Sequence, residues 1–178
     1  MLTTDQQAFL DWIELARTDY LREQAKNAIA SGRRNESLLL SLIRKNTTNA
    51  ACLFRGMRVL PDDPLLTASV GSAFEMLPSS FSRTIEVGAT YANISWDKLM
   101  GWENPAAVPI LLVLKNQWEE IHFGKIRALE VAAYLNTLGR HDYGQMQEVI
   151  TAGEFRVLAA EPFRNNGRTL VVRQLAIY

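Results

Sequence analysis

The chain has one cysteine and two histidines among 178 residues, and its basic and acidic side chains balance at 19 each. A single cysteine, Cys52, cannot close an intramolecular disulfide or build a thiolate metal centre. His122 and His141 have no carboxylate pair at metal-ligand spacing, so no metal site is expected. Asp142 beside His141 does not make a triad, because adjacency in a loop does not orient a base and its support. A net charge of zero and a pI near 6.7 argue against a general grip on nucleic acid or anionic membrane. Counterion release needs a basic face, and composition does not ask for one. The longest apolar run, Ala106 to Leu114, is too short to span a bilayer. Met1-Leu2-Thr3-Thr4-Asp5-Gln6-Gln7 lacks the basic start and apolar block of a secretory signal, so a cytoplasmic, reducing compartment is expected.

What is present suits one folded domain over 1–178, with 48% hydrophobic and 21% charged residues. The first part, 1–49, reads helical. Thr4-Asp5-Gln6-Gln7 has the form of a capping box, and Phe9, Ile13, Ala16 and Tyr20 recur at helical spacing. Leu38 to Ile43 reads as a second short helix, ended by the turn-forming Asn46-Thr47-Thr48-Asn49. From Ala50 the character changes to a β-rich part, 50–178. Ala51 to Val59 is strand-like, and Leu65 to Phe74 fits no period cleanly. Ile85 to Leu99 reads as a helix. Val108 to Leu114 is a continuous apolar run, the mark of a strand buried on both faces. Leu129 to Ala133 is a shorter strand candidate, and Asn136 to Gln147 reads as a loop. Glu148 to Ile150, Phe155 to Ala159 and Thr169 to Ile177 read as closing strands, with Asn165-Asn166-Gly167 as a hairpin turn. Helices first and strands afterwards indicate an α+β fold with a split, mainly antiparallel sheet.

Three segments carry chemistry. Arg55 ends an apolar run and precedes Gly56: guanidinium is a rigid donor fork suited to phosphate, and glycine lets a ligand approach the backbone. Read singly, Arg55 fits a strand-end arginine in a surface ion pair better. Ser80-Phe81-Ser82 places small hydroxyls around an aromatic, as in a pocket floor or an ordinary serine-rich turn. Glu148 follows a long polar stretch and opens the apolar Val149-Ile150, a costly place for a carboxylate without a partner or a task.

In that order, Arg55-Gly56, Ser80-Phe81-Ser82 and Glu148-Val149-Ile150 resemble the Arg–Ser–Glu class of mono-ADP-ribosyltransferases, which includes bacterial toxins and enzymes of tailed bacteriophages. Val87-Gly88, Tyr91, Ala128-Leu129-Glu130-Val131, Tyr134, Gly153 and Phe155-Arg156-Val157 extend the resemblance over about residues 47–161. The resemblance implies a sheet core of ADP-ribosyltransferase type and NAD as cosubstrate. It implies that Arg55 binds the NAD phosphates and that the Gly56 backbone lies against the nicotinamide amide. Ser80 would orient Glu148, with Phe81 and Ser82 supporting the nicotinamide pocket. Glu148 would hold the nicotinamide-ribose hydroxyl and stabilise positive charge as the glycosidic bond opens. Tyr143, Met146 and Gln147 would face the acceptor, and by the phage analogy that acceptor is a host protein of the transcription or translation machinery. Met146 departs from the class pattern, which places Glu or Gln two residues before the catalytic glutamate. That makes NAD glycohydrolysis, with water as acceptor, the first alternative; a catalytically inert binding module is a second, against which the presence of Arg55, Ser80 and Glu148 together argues.

Overall fold

In the computed structural model, residues 1–4, 6, 7, 9, 10, 40–93, 106–115, 126–141, 147–165 and 168–177 are described. The strands are β1 (Thr47–Thr48), β2 (Cys52–Val59), β3 (Ala73–Ser82), β4 (Val108–Lys115), β5 (Ile126–Glu130), β6 (Glu148–Asn165) and β7 (Arg168–Ile177). The helices named here are α1 (Pro64–Thr67), α2 (Ile85–Asn93) and α3 (Val131–Thr137). The sheet order is β1-β5-β6-β3-β2-β4-β7, and β6 also pairs with β7. That second pairing closes β6, β3, β2, β4 and β7 into a ring. Pairing is antiparallel apart from β4 with β7.

The apolar run of β4 is covered on both faces, as its composition requires. Ile110, Leu112 and Leu114 enter one core with Leu53, Phe81, Val149 and Phe155, while Leu111 and Val113 pack under α2 with Ala89 and Ala92. A third core joins Phe9, Leu10, Leu42 and Ile43 to Leu129, Val131, Leu135 and Ile150. Phe9 meets Tyr134 edge-on at 4.8 Å, which anchors the start of the chain on α3. Among the described residues, no helix is long and apolar enough to cross a membrane.

Several boundaries differ from the sequence reading, each for a local reason. The capping box is one residue earlier: Thr3 N–H donates to Gln6 Oε1 at 2.8 Å and Gln6 N–H to Thr3 Oγ1 at 3.3 Å. Positions 4, 6, 7, 9, 10 and 40–44 are helical, whereas Ile13, Ala16 and Tyr20 lie outside the described residues. Thr47 and Thr48 form an edge strand rather than a turn, because Arg127 and Ile126 offer them ladder partners. The ambiguous Leu65–Phe74 stretch divides at a turn: Asp63 Oδ1 accepts from Leu65 N–H at 2.8 Å and Pro64 opens α1, while Ala73 starts β3. Val131 to Ala133 are helical, since the strand ends at Glu130. The helix α2 covers 85–93 of the expected 85–99, and 94–99 fall outside the described residues. The two expected strands at 148–150 and 155–159 are one, because Gly153 (φ 137°) keeps its place in the ladder opposite Met76.

Candidate active site

The strands β2 and β3 meet at a single register pair, Phe54 opposite Ser82. Beyond it they part, whereas β2 stays paired with β4 from Cys52 to Val59. A strand leaving its neighbour strands backbone groups that need other partners. Ser80 finds one in Arg55, whose Nη1 donates to the Ser80 carbonyl at 2.7 Å across the opening. Arg55 sits in β2 between Leu53 and Met57, both packed in the core, so its guanidinium leaves an apolar setting. Burial pushes the Arg55 pKa below the ordinary arginine value, and the Glu148 carboxylate works in the opposite direction.

Ser80 and Glu148 meet because of a bulge. Met76 stands opposite Gly153 and Ser79 opposite Thr151, so Leu77 and Pro78 together face Ala152. Proline has no N–H to give the ladder, which makes this the least costly place to break it. An unbulged β3 would set Phe81 opposite Glu148 and turn Ser80 to the other face. With the bulge, Ser80 and Ser82 share a face with Glu148 and Ile150. The Ser80 hydroxyl donates to Glu148 Oε1. Ser80 thus touches Arg55 through its carbonyl and Glu148 through its hydroxyl, linking the three side chains. All three are half-buried.

The other expected site residues that are described have local surroundings of their own. Phe81 points to the opposite face, is 2% exposed and belongs to the core with Leu53 and Val149, so it supports the strand instead of lining the Ser80–Glu148 face. Ser82 is buried, and its Oγ accepts from Thr84 N–H at 3.1 Å, holding the turn from β3 into α2. Gly56 has a packing reason. A Cβ there would lie 1.7 Å from Gly88 O and 2.3 Å from Ala92 N, so its bareness is what lets α2 rest on β2. Gln147 is exposed, and its carbonyl accepts from Arg83 N–H at 3.2 Å. Tyr143 and Met146 lie outside the described residues. His141 is exposed, with Nδ1 3.3 Å from Asn136 Oδ1. Among the described residues, no group of three or more His, Cys, Asp or Glu could hold a metal ion.

Sequence reasoning passed over a second polar cluster. Arg83 Nη2 pairs with Glu130 Oε1 and donates to Thr48 Oγ1 at 3.0 Å, and the Thr48 hydroxyl donates to Glu130 Oε1 at 2.6 Å. The three residues are 35 and more positions apart in the chain, so no local pattern announces them.

The geometry can be set against known structures. The Vis toxin, an ADP-ribosyltransferase from Vibrio splendidus, aligns with a TM-score of 0.55 at 18% identity, over 98% of this chain and 73% of that one. C3larvin, an ADP-ribosyltransferase toxin from Paenibacillus larvae, aligns with a TM-score of 0.54 at 12% identity, over 100% and 97%. The chain has the fold of the toxin-type mono-ADP-ribosyltransferases. The enzymatic component C2-I of the Clostridium botulinum C2 toxin shares this ADP-ribosyltransferase-type arrangement, with a TM-score of 0.55 at 13% identity, over 99% of this chain and 44% of that one. No protein-family model and no curated protein sequence matches the chain.

Proposed function

We propose that the protein transfers ADP-ribose from NAD to a protein acceptor and releases nicotinamide. The observation that carries this reading is the linked set Arg55–Ser80–Glu148 at the place where β2 and β3 separate. Its chemistry suits the reaction. Breaking the bond between ribose and nicotinamide leaves positive charge on the sugar, while the departing base takes the bonding electron pair and becomes neutral. A fixed carboxylate stabilises most where that charge appears. Glu148 is such a group: Ser80 holds it, so little reorganisation is needed as the charge develops. Arg55 brings a guanidinium out of an apolar setting, where its attraction for phosphate is screened less than in water. The acceptor group then bonds to the sugar carbon and loses its proton.

Hydrolysis with water as acceptor is the second reading. It is favoured by Met146, whose thioether is a weak hydrogen-bond acceptor in place of the Glu or Gln usual in the class. One experiment separates the readings. The protein is incubated with NAD labelled on the adenylate side, alone, with agmatine (with which Vis has been crystallised), or with bacterial lysate proteins. Label on a protein supports transfer; free ADP-ribose as the sole product under all conditions supports hydrolysis. Glu148→Gln is expected to lower nicotinamide release on the order of 10²–10³-fold while NAD affinity by calorimetry stays within about threefold. A folded wild-type protein with neither NAD affinity nor nicotinamide release would overturn both readings and favour a binding module.

A further inference from the structure

The cluster of Arg83, Glu130 and Thr48 lies on the side of the sheet away from the Ser80–Glu148 bond. Ser82 stands opposite Glu148 in the β3–β6 ladder, and Glu130 stands opposite Val149 in the β5–β6 ladder. Paired residues share a face and successive ones alternate, so Glu130, Val149 and Phe81 face one way while Ser80 and Glu148 face the other. Arg83 follows Ser82 directly. Its side chain crosses the first residues of β6 to reach Glu130, and its N–H is bonded to the Gln147 carbonyl. Thr48, 1% exposed, closes the cluster from β1, and its hydroxyl also accepts from Ala50 N–H at 3.2 Å. Four separate pieces of chain (β1, β5, the end of β3 and residue 147) thus converge where β6 begins.

An ion pair of this kind contributes little as a surface bridge. Arg83 and Glu130 are 35% and 32% exposed, and screened pairs of that sort add little to stability. Its placement gives it another use. Glu148 is the first residue of β6, and the end of a strand is where a ladder frays most easily. Fraying there would swing the Glu148 carboxylate away from the Ser80 hydroxyl.

We infer that Arg83, Glu130 and Thr48 are positioning residues that clamp the start of β6 from below and thereby hold Glu148 in its working orientation. The inference rests on the glycosyl-transfer reading for its kinetic part, but the clamp itself is testable without it. Arg83→Met, Glu130→Gln and the exchanged pair Arg83→Glu with Glu130→Arg are compared with wild type. Nicotinamide release is measured for kcat and KM, and amide hydrogen exchange is measured over 147–149. Each single substitution is expected to lower kcat roughly tenfold with KM for NAD within about twofold, because a misplaced carboxylate affects the reaction more than binding. Exchange over 147–149 should rise roughly tenfold in the same variants, and the exchanged pair should recover part of both effects. Arg83→Lys keeps the charge but loses the planar fork, and serves if Arg83→Met fails to fold; it should show smaller changes in the same direction. Wild-type exchange in these variants overturns the clamp, whatever the kinetics. Raised exchange with unchanged kcat in an active protein overturns the positioning role. If the wild type itself releases no nicotinamide, the functional reading fails and the exchange measurement alone decides whether the clamp exists.

Discussion

Arg55 serves two partners at once, and its chemistry explains why lysine should not replace it. Its Nη1 is committed to the Ser80 carbonyl, while its charge is felt by Glu148. Guanidinium has five donors fixed in a plane and can hold a backbone carbonyl while facing an anion; an ammonium offers a point charge without the fork. Arg55→Lys is expected to raise KM for NAD about tenfold with a smaller change in kcat, checked by initial-rate kinetics of nicotinamide release. The carboxylate at 148 and its hydroxyl partner at 80 were recognisable as candidates from residue type and order. Their bond was expected from the family resemblance alone, because 68 positions separate them and residue type by itself does not pair them. The surroundings of Phe81, between the two serines, were hidden for a related reason. Residue type alone suggests an aromatic pocket floor, but strand alternation sends it into the core.

The bulge in β3 and the glycine in β2 do the positioning among the elements. Leu77-Pro78 opposite Ala152 changes which face the later residues of β3 occupy, and Gly153 accepts a φ that side-chain-bearing residues rarely adopt. Gly56 sets how closely α2 approaches β2. Gly56→Ala is expected to destabilise the fold by about 1–3 kcal/mol, since the new methyl would meet backbone atoms of Gly88 and Ala92, which cannot rotate away as a side chain can. Gly88→Ala should cost less: its Cβ would meet Phe54 Cβ at 2.9 Å and Leu111 Cδ1 at 3.0 Å, and alanine is the better helix former. Urea midpoints of the two variants test the order. The apolar run of β4 was readable in advance because both of its faces are buried. The join between β5 and α3 was not, because Ile126 to Thr137 is apolar at spacings that suit strand and helix alike.

Across the whole molecule, the β3–β6 ladder runs from an exposed end at Ala73 to Ser80 opposite Ile150 and Ser82 opposite Glu148. On the exposed part of β3 and β6, Glu75 stands directly opposite Glu154, an arrangement of like charges that weakens an antiparallel pair. Glu75→Lys is expected to raise stability by about 0.2–1 kcal/mol, read as a higher urea midpoint, with nicotinamide release unchanged. Two sites with no shared partner should behave independently, and the bulge at Leu77-Pro78 lies between this pair and Ser80 with Glu148.

Periodicity and residue type settled the central strand, the α+β class and the order of the three site segments, because burial and reaction chemistry both act through composition and leave a record in one dimension. The register, the bulge and the Arg83–Glu130–Thr48 cluster came only with the folded chain. They depend on which residues distant in sequence become neighbours, and backbone pairing, being the same chemistry for nearly every residue, leaves little trace in the identity of the side chains it aligns.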